Sequence, residues 1–350
     1  MKVKFVDYSK QYLKIKKEID FAIQSCLKRG DLILRKDVER FEKNIASFVG
    51  SKYAIGVNSG TDALTLALKA IGIQKDDEVI TTGYTFWATV EAIYHASGVP
   101  ILADIKDDLT IDPKSVISKI TEKTKAIIPV YIGGLFYDSE IEKIAKKYNL
   151  KIIEDAAQGL GCIQTGTIGV ASCFSFYPAK VLGGCGDGGA VVTNSKNIDK
   201  KIRLLRHHGG KPHPVMIGYN SRLDNIQAAV LNVKLKYLDS WIQRRREIAL
   251  IYNQELYDLY ENSLQIPFSE TYQEFNLRVL NGKRDKLYQF LKKKGVETIC
   301  GDYTFPHQEQ RKLKETVRAN KEILRLPIWP DLTDKEIYYV CRCIRKFYGI

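Results

Sequence analysis

Apolar positions recur three to four residues apart at the start of the chain. Tyr12, Ile15, Ile19, Ile23 and Cys26 form one stripe, and Val38, Phe41, Ile45 and Phe48 form a second that stops at Gly50. That spacing puts each set on one helical face, so two amphipathic helices are predicted first. The period then changes. Short apolar runs near 53–57, 78–81, 100–104, 125–130, 151–155, 171–176 and 189–193 alternate with helical stretches. Runs of this kind suit strands buried on both faces, and the alternation predicts an α/β fold: a mostly parallel seven-stranded sheet covered by helices. Ile226, Val230, Val233, Tyr237 and Trp241 predict one long helix from Asp224 to Ile248. A strand at 275–281, a helix at 284–294 and a final helix at 334–348 read as a smaller C-terminal α+β domain. We divide the chain into domains 1–245 and 246–350, because single cores stop growing near ~250 to 300 residues.

Charge narrows the class of ligand. Lysine and arginine number 54 against 41 acids, a net +13. Nucleic-acid binding is one reading of that excess, but Lys14, Lys16, Lys17, Lys292, Lys293 and Lys294 are spread over helices rather than gathered in one basic arm. Most are read as solvated faces, with a summed field that favours capture of an anionic small molecule. The seven cysteines, at 26, 162, 173, 185, 300, 341 and 343, contain no C-x-x-C pair. That argues against a disulfide framework and a zinc ribbon, so reduced thiols and no metal are expected. There is no apolar run of about 18 residues. The start, Met1 to Asp7, lacks the apolar stretch of a signal peptide. A cytoplasmic protein with no membrane partner is expected.

Two strands end in chemistry. Lys151-Ile152-Ile153-Glu154-Asp155 puts an acid at a carboxyl end, the edge where open α/β sheets bind ligands. The run Ala171 to Phe176 leads through Tyr177-Pro178-Ala179 to Lys180. Alone, Asp155 reads as a cap and Lys180 as a solvated charge. Together they look like the two poles of a pyridoxal phosphate site: a carboxylate that keeps the pyridine nitrogen protonated, and an amine that takes the aldehyde as a Schiff base. Ser59-Gly60-Thr61 follows a strand and opens the helix of Ala63, Leu64, Leu66 and Ala67. Its amides and the helix dipole suit an anion, although N-capping alone also explains the motif. The glycines at 183, 184, 186, 188 and 189 lack the order of an ATPase phosphate loop and read as turns that bring the backbone close to Lys180.

These motifs fall in a known order. Gly56-Val57-Asn58-Ser59-Gly60-Thr61-Asp62-Ala63-Leu64, Thr85-Phe86-Trp87-Ala88-Thr89, the two strand ends, Gly186-Asp187-Gly188-Gly189-Ala190 and the stretch from Gly218 to Leu231 succeed one another along the chain. The set resembles the nucleotide-sugar aminotransferases, the DegT/StrS family of fold type I pyridoxal phosphate enzymes, over nearly the whole length. The resemblance implies pyridoxal 5′-phosphate as cofactor, pyridoxamine phosphate as its intermediate form, L-glutamate as amino donor and a nucleotide-linked keto sugar as acceptor. Lys180 would carry the cofactor and shuttle the proton. The resemblance also implies Gly60, Thr61 and Ser175 at the phosphate, Asp155 at the ring nitrogen, Phe86 stacked on the ring and Gln158 beside the phenolic oxygen. Asn220 would reach the phosphate from the second subunit of a homodimer. Read alone, Phe86 is a core aromatic and Gln158 a polar residue at a helix start.

Lysine at 180 disfavours a dehydratase branch of the family, which carries histidine there. Two stretches depart from the family pattern. Arg35 stands where relatives usually carry glycine, and Cys300 to His307 replaces a His-Tyr-Pro-x-Pro-x-His segment, leaving Tyr303 and His307 as candidates for the sugar side. Enzymes acting at C3 and at C4 share every motif quoted, because only the orientation of the sugar differs. The expectation is amination at C4 of UDP- or dTDP-4-keto-6-deoxyglucose, giving a viosamine-type 4-amino-4,6-dideoxy sugar. The alternatives are amination at C3, and a non-catalytic regulatory or nucleic-acid-binding protein that has kept the fold.

Overall fold

The computed structural model describes residues 1–260, 262–266 and 268–350. The two leading stripes fold as α1 (Tyr8–Arg29) and α2 (Lys36–Val49). Each stops at a glycine in the left-handed region, Gly30 at φ 66° and Gly50 at φ 74°, a backbone that lets the cap amide close on the last free carbonyls.

All seven expected strands of the large sheet form: β1 (Tyr53–Val57), β2 (Glu78–Thr82), β3 (Val99–Ala103), β4 (Thr124–Ile128), β5 (Lys151–Asp155), β6 (Ala171–Ser175) and β7 (Gly189–Thr193). They lie in the order β1-β7-β6-β5-β4-β2-β3. Strands β2 to β6 pair parallel, while β7 runs antiparallel to both β6 and β1. Neighbouring residues on one strand enter different cores. Ile152, Ile127 and Phe174 pack with Phe41 and Ile45 of α2. Ile153, Ile128 and Cys173 pack with Leu64 and Leu68 of α3 (Gly60–Ile71) and with Ile93 of α4 (Trp87–His95). The twofold period of a strand divides an apolar run between the two helical layers, which is why these strands read as continuous apolar stretches.

The single long helix expected from Asp224 to Ile248 is two helices, Asn225–Leu235 and Leu238–Glu255, joined through Lys236 and Tyr237. The apolar stripe is continuous across the break because Val230, Val233 and Trp241 share one buried cluster with Ile15 and Ile19 of α1. Farther along the second helix, beyond Trp241 and Ile242, Ile248, Ala249 and Tyr252 join the second core, so the chain changes packing partners inside that helix rather than at the break.

That second core lies on an antiparallel sheet in the order β10-β11-β9-β8: β8 (Leu264–Gln265), β9 (Phe275–Val279), β10 (Ile299–Cys300) and β11 (Ile323–Leu326). The strand expected at 275–281 ends at Val279, and Asn281 and Gly282 turn the chain at positive φ into helix Arg284–Lys293. The terminal helix runs Asp334–Tyr348 behind a Thr333/Glu336 capping box. The boundary we propose at 245/246 falls inside helix Leu238–Glu255, and Val3 also joins the second core by pairing with Val296. No helix among the described residues is long and apolar enough to cross a membrane.

Candidate active site

The adjacent carboxyl ends of β5 and β6 aim their last residues at one side of the sheet. Asp155 and Glu154 are neighbours, so the pleat sends them to opposite faces. Glu154 is fully buried and accepts from Tyr131 Oη at 2.5 Å, from the Gly169 amide at 3.2 Å and from the Ser172 hydroxyl. Its bonds are internal to the sheet and its covering loop. Asp155 instead accepts from Thr89 Oγ1 at 2.7 Å and from the Ala157 amide at 3.2 Å. Burial raises its pKa; the Thr89 and Ala157 hydrogen bonds and the charge of Lys180 act against that rise.

Lys180 follows β6 in a turn closed by its own amide on Tyr177 O at 2.9 Å. The residue is half-buried, and desolvation lowers its pKa; Glu274 and Asp155 oppose that effect and Arg325 adds to it. The glycine-rich segment permits the close return of the chain here, since a Cβ on Gly183 would sit 2.2 Å from Pro178 O.

At the start of α3, Ser59 Oγ accepts from the Asp62 amide at 3.0 Å. First-turn amides have no intrahelical partner, so those of Gly60 and Thr61 are available to an anion. Ser175 closes the other side of this cup. A Cβ on Gly60 would lie 2.8 Å from Ser175 Cβ, and Ser175 pairs in register with Gly189, itself tight against Ser59 O.

Phe86 caps the amino end of α4 and is 65% exposed, so it is an open aromatic face and not the core residue that its sequence setting alone suggested. Gln158 lies just beyond β5 with Oε1 accepting from the Gly133 amide at 2.6 Å and Nε2 donating to Glu274 Oε1 at 2.9 Å. Tyr303 joins this group: the Arg325 guanidinium lies 4.4 Å from its ring centroid, and Tyr84 meets it edge-on at 5.0 Å. Burial pushes the Tyr303 phenol up to about 12.

Three candidates stand apart. Asn220 is exposed and forms a short bridge with His207. Arg35 is exposed at the start of α2, with no side-chain cap bond. His307 is half-buried, its Nδ1 without a hydrogen-bond partner among the described residues and its pKa lowered by burial. Two neighbours of Lys180, Glu274 and Arg325, were not found from the sequence. The available signal was a lone arginine inside the apolar run Ile323 to Leu326.

A sheet of this order, with a carboxylate at one strand end and a lysine in the turn after the next strand beside an anion-ready helix start, defines a pyridoxal phosphate-dependent aminotransferase of the α/β type. The chain belongs to the DegT/DnrJ/EryC1/StrS aminotransferase family, whose model matches residues 13–345. A pleiotropic regulatory protein of Geobacillus stearothermophilus is 39% identical, with 99% of each chain covered. The UDP-2-acetamido-2-deoxy-3-oxo-D-glucuronate aminotransferase of Pseudomonas aeruginosa is 35% identical over 98% of this chain and 99% of its own. The crystal structure of S. venezuelae DesV in complex with a ketimine intermediate superposes with a TM-score of 0.95 at 33% identity, covering 100% of this chain and 99% of that one. Pyridoxal phosphate is the cofactor of the family.

Proposed function

We propose that this aminotransferase moves an amino group from L-glutamate to a ketone on a nucleotide-linked hexose. The observation that carries the reading is the convergence of Asp155, at the end of β5, and Lys180, in the turn after the adjacent β6, with each in electrostatic reach of the other.

The residues fit pyridoxal phosphate. Gly60 against Ser175 forms a cup that a Cβ would fill, suited to the phosphate along with the Thr61 amide. Phe86 offers an open face to a planar ring. The buried Asp155 carboxylate, costly to ionise alone, gains a cationic partner in a protonated ring nitrogen. When bound, the cofactor supplies an electron sink that makes the proton on the amine-bearing carbon removable. Lys180 suits the task of carrying that proton, because burial holds its amine closer to neutrality than a surface lysine. Gln158 and Tyr303 border the same space as neutral hydrogen-bonding groups.

The acceptor is a UDP- or dTDP-linked keto sugar. The Pseudomonas relative, an aminotransferase for a 3-oxo sugar, supports C3 as the first position to test. The C4, viosamine-type product expected from the sequence is the second. Asn220 lies exposed on a loop with Val215 and Ile217, which are also exposed, and this supports a homodimer in which one subunit completes its neighbour's phosphate site.

The test is the absorbance of the protein with pyridoxal phosphate before and after L-glutamate, then product analysis with paired 3-keto and 4-keto nucleotide sugars. A spectral change on glutamate, followed by amination of one ketone, is expected. A spectrum indifferent to glutamate would refute the donor assignment, and turnover of neither ketone would rule out the acceptor class.

A further inference from the structure

A continuous line of side chains runs from the large sheet into the small one beside Lys180. The Gly133 amide donates to Gln158 Oε1 at 2.6 Å, and Gln158 Nε2 donates to Glu274 Oε1 at 2.9 Å. Glu274 Oε2 lies 3.1 Å from Arg325 Nε, with the two side chains only 12% and 10% exposed. Arg325 then stacks on Tyr303, which meets Tyr84. Glu274 immediately precedes β9, and Arg325 is in β11, paired in register with Asn276, so sheet pairing holds acid and base together.

The line has two consequences. A primary amide has one accepting and one donating end. The Gly133 N–H demands the oxygen of Gln158 and the Glu274 carboxylate demands its NH2, so the amide has a single satisfied orientation. The second consequence concerns charge. Gln273, the residue before Glu274, donates to Ala179 O at 2.9 Å and accepts from the Val181 amide at 2.7 Å, so it is bonded to both neighbours of Lys180; the ionisable groups that act on Lys180 are Asp155 from β5, Glu274 ahead of β9 and Arg325 from β11. Glu274 and Arg325 are opposite in sign and act on Lys180 in opposite directions, so removing either exposes the other. Among the described residues Glu274 is the carboxylate paired with Arg325, whose guanidinium otherwise lies over the Tyr303 ring.

We propose that Glu274 is a positioning residue of the amino-transfer site: through Gln158 it fixes the amide beside Lys180, and against Arg325 it sets the charge felt there. The inference rests on the reading that Lys180 carries the cofactor.

The experiment follows the absorbance of the cofactor-loaded protein against pH and takes the midpoint at which the lysine-linked Schiff base loses its proton. Glu274→Gln lowers that midpoint by about one pH unit, since an anion that favours the protonated form is lost. Arg325→Gln raises it, Arg325→Lys leaves it near the parent value, and the double variant Glu274→Gln/Arg325→Gln returns toward the parent. If Glu274→Gln does not fold, the upward shift in Arg325→Gln still decides. Midpoints that stay fixed in both single variants, or move in the same direction, overturn the proposal. A Lys180→Ala protein that keeps the pH-dependent band would instead defeat the underlying reading, an outcome separable from the first because it appears without any change at Glu274.

Discussion

Thr89 Oγ1 donates to Asp155 Oδ2 at 2.7 Å, so the helix that presents Phe86 at its start also holds the carboxylate one turn later. A hydroxyl has one proton to give. The 2.7 Å contact between Thr85 Oγ1 and Thr89 Oγ1 is therefore donated by Thr85, and a relay runs from Thr85 through Thr89 to Asp155. Thr89→Val keeps the shape and removes the relay. It leaves a buried acceptor short of a donor, a loss of about 1–3 kcal/mol. We expect pyridoxal phosphate affinity to fall roughly tenfold in a titration of the cofactor-free protein, because about 1.4 kcal/mol is a factor of ten. An unchanged dissociation constant would remove Thr89 from the site.

Asp155→Asn separates folding from function. Burial raises the Asp155 carboxyl above its ordinary 3.8 in the folded protein. The folded state thus holds this proton more tightly than the unfolded chain, so stability falls as pH rises from 3.8 to the folded value, and the cost is present in full above it. The asparagine variant, freed of that cost, is expected to be at least as stable as the parent at pH 7 without cofactor. Its advantage shrinks as pH falls toward 3.8. With Asp155 in its proposed role as counter-charge of the ring nitrogen, turnover moves the other way, falling by about a hundredfold or more. Urea unfolding at several pH values and a glutamate half-reaction assay test the two halves. Near-normal turnover would dismiss the assigned role.

Lys180 has the opposite linkage. Burial lowers its amine below 10.5 in the folded, cofactor-free protein. Between the lowered value and 10.5 the unfolded chain binds the extra proton, so this group makes stability rise with pH across that window. The penalty of burying the charged amine is present in full below the window and gone above it. Lys180→Met is therefore expected to be more stable than the parent at pH 7, with the difference closing toward pH 10 at no more than about 1.4 kcal/mol per pH unit. A difference independent of pH would show that the amine is not desolvated.

Legibility in the sequence followed burial. The large sheet could be read strand by strand because both of its faces are covered, so each central strand carries a buried apolar stretch: Ala126, Ile127 and Ile128 in β4, Ile152 and Ile153 in β5, Cys173 and Phe174 in β6. The small sheet could not. Strands β8 and β10 are two residues long, and β11 has Arg325 at its centre, a buried charge that only its distant partner Glu274 explains. The same limit applied to the site. Asp155 ends a strand and Lys180 follows one closely, so both are visible locally, whereas Thr89 stood within a motif with no role of its own until its bond to Asp155 placed it. The break at Lys236 and Tyr237 was hidden because the apolar stripe continues across it on α1.

Gly60→Ala tests the cup with little disturbance elsewhere. Alanine is the better helix former, so helix propensity at the start of α3 does not suffer. The new methyl would, however, lie 2.8 Å from Ser175 Cβ and 3.3 Å from Ser175 Oγ, and one side of the cup must yield. On the proposed reading, in which the Gly60 and Thr61 amides and the Ser175 hydroxyl hold the phosphate, a shift of a few tenths of an ångström lengthens several charge-assisted bonds at once. Affinity for pyridoxal phosphate is expected to drop by about tenfold or more, with a melting temperature close to the parent's. Ser175→Gly on the same background removes the clashing carbon and gives the new methyl room to seat, at the cost of one hydroxyl. We therefore expect the double variant to bind the cofactor more tightly than Gly60→Ala alone, though less tightly than the parent. Pyridoxal without its phosphate provides the control: its weak binding should be the same in all three proteins. A Gly60→Ala variant that binds the phosphorylated cofactor at parental strength would place the phosphate elsewhere on the sheet edge.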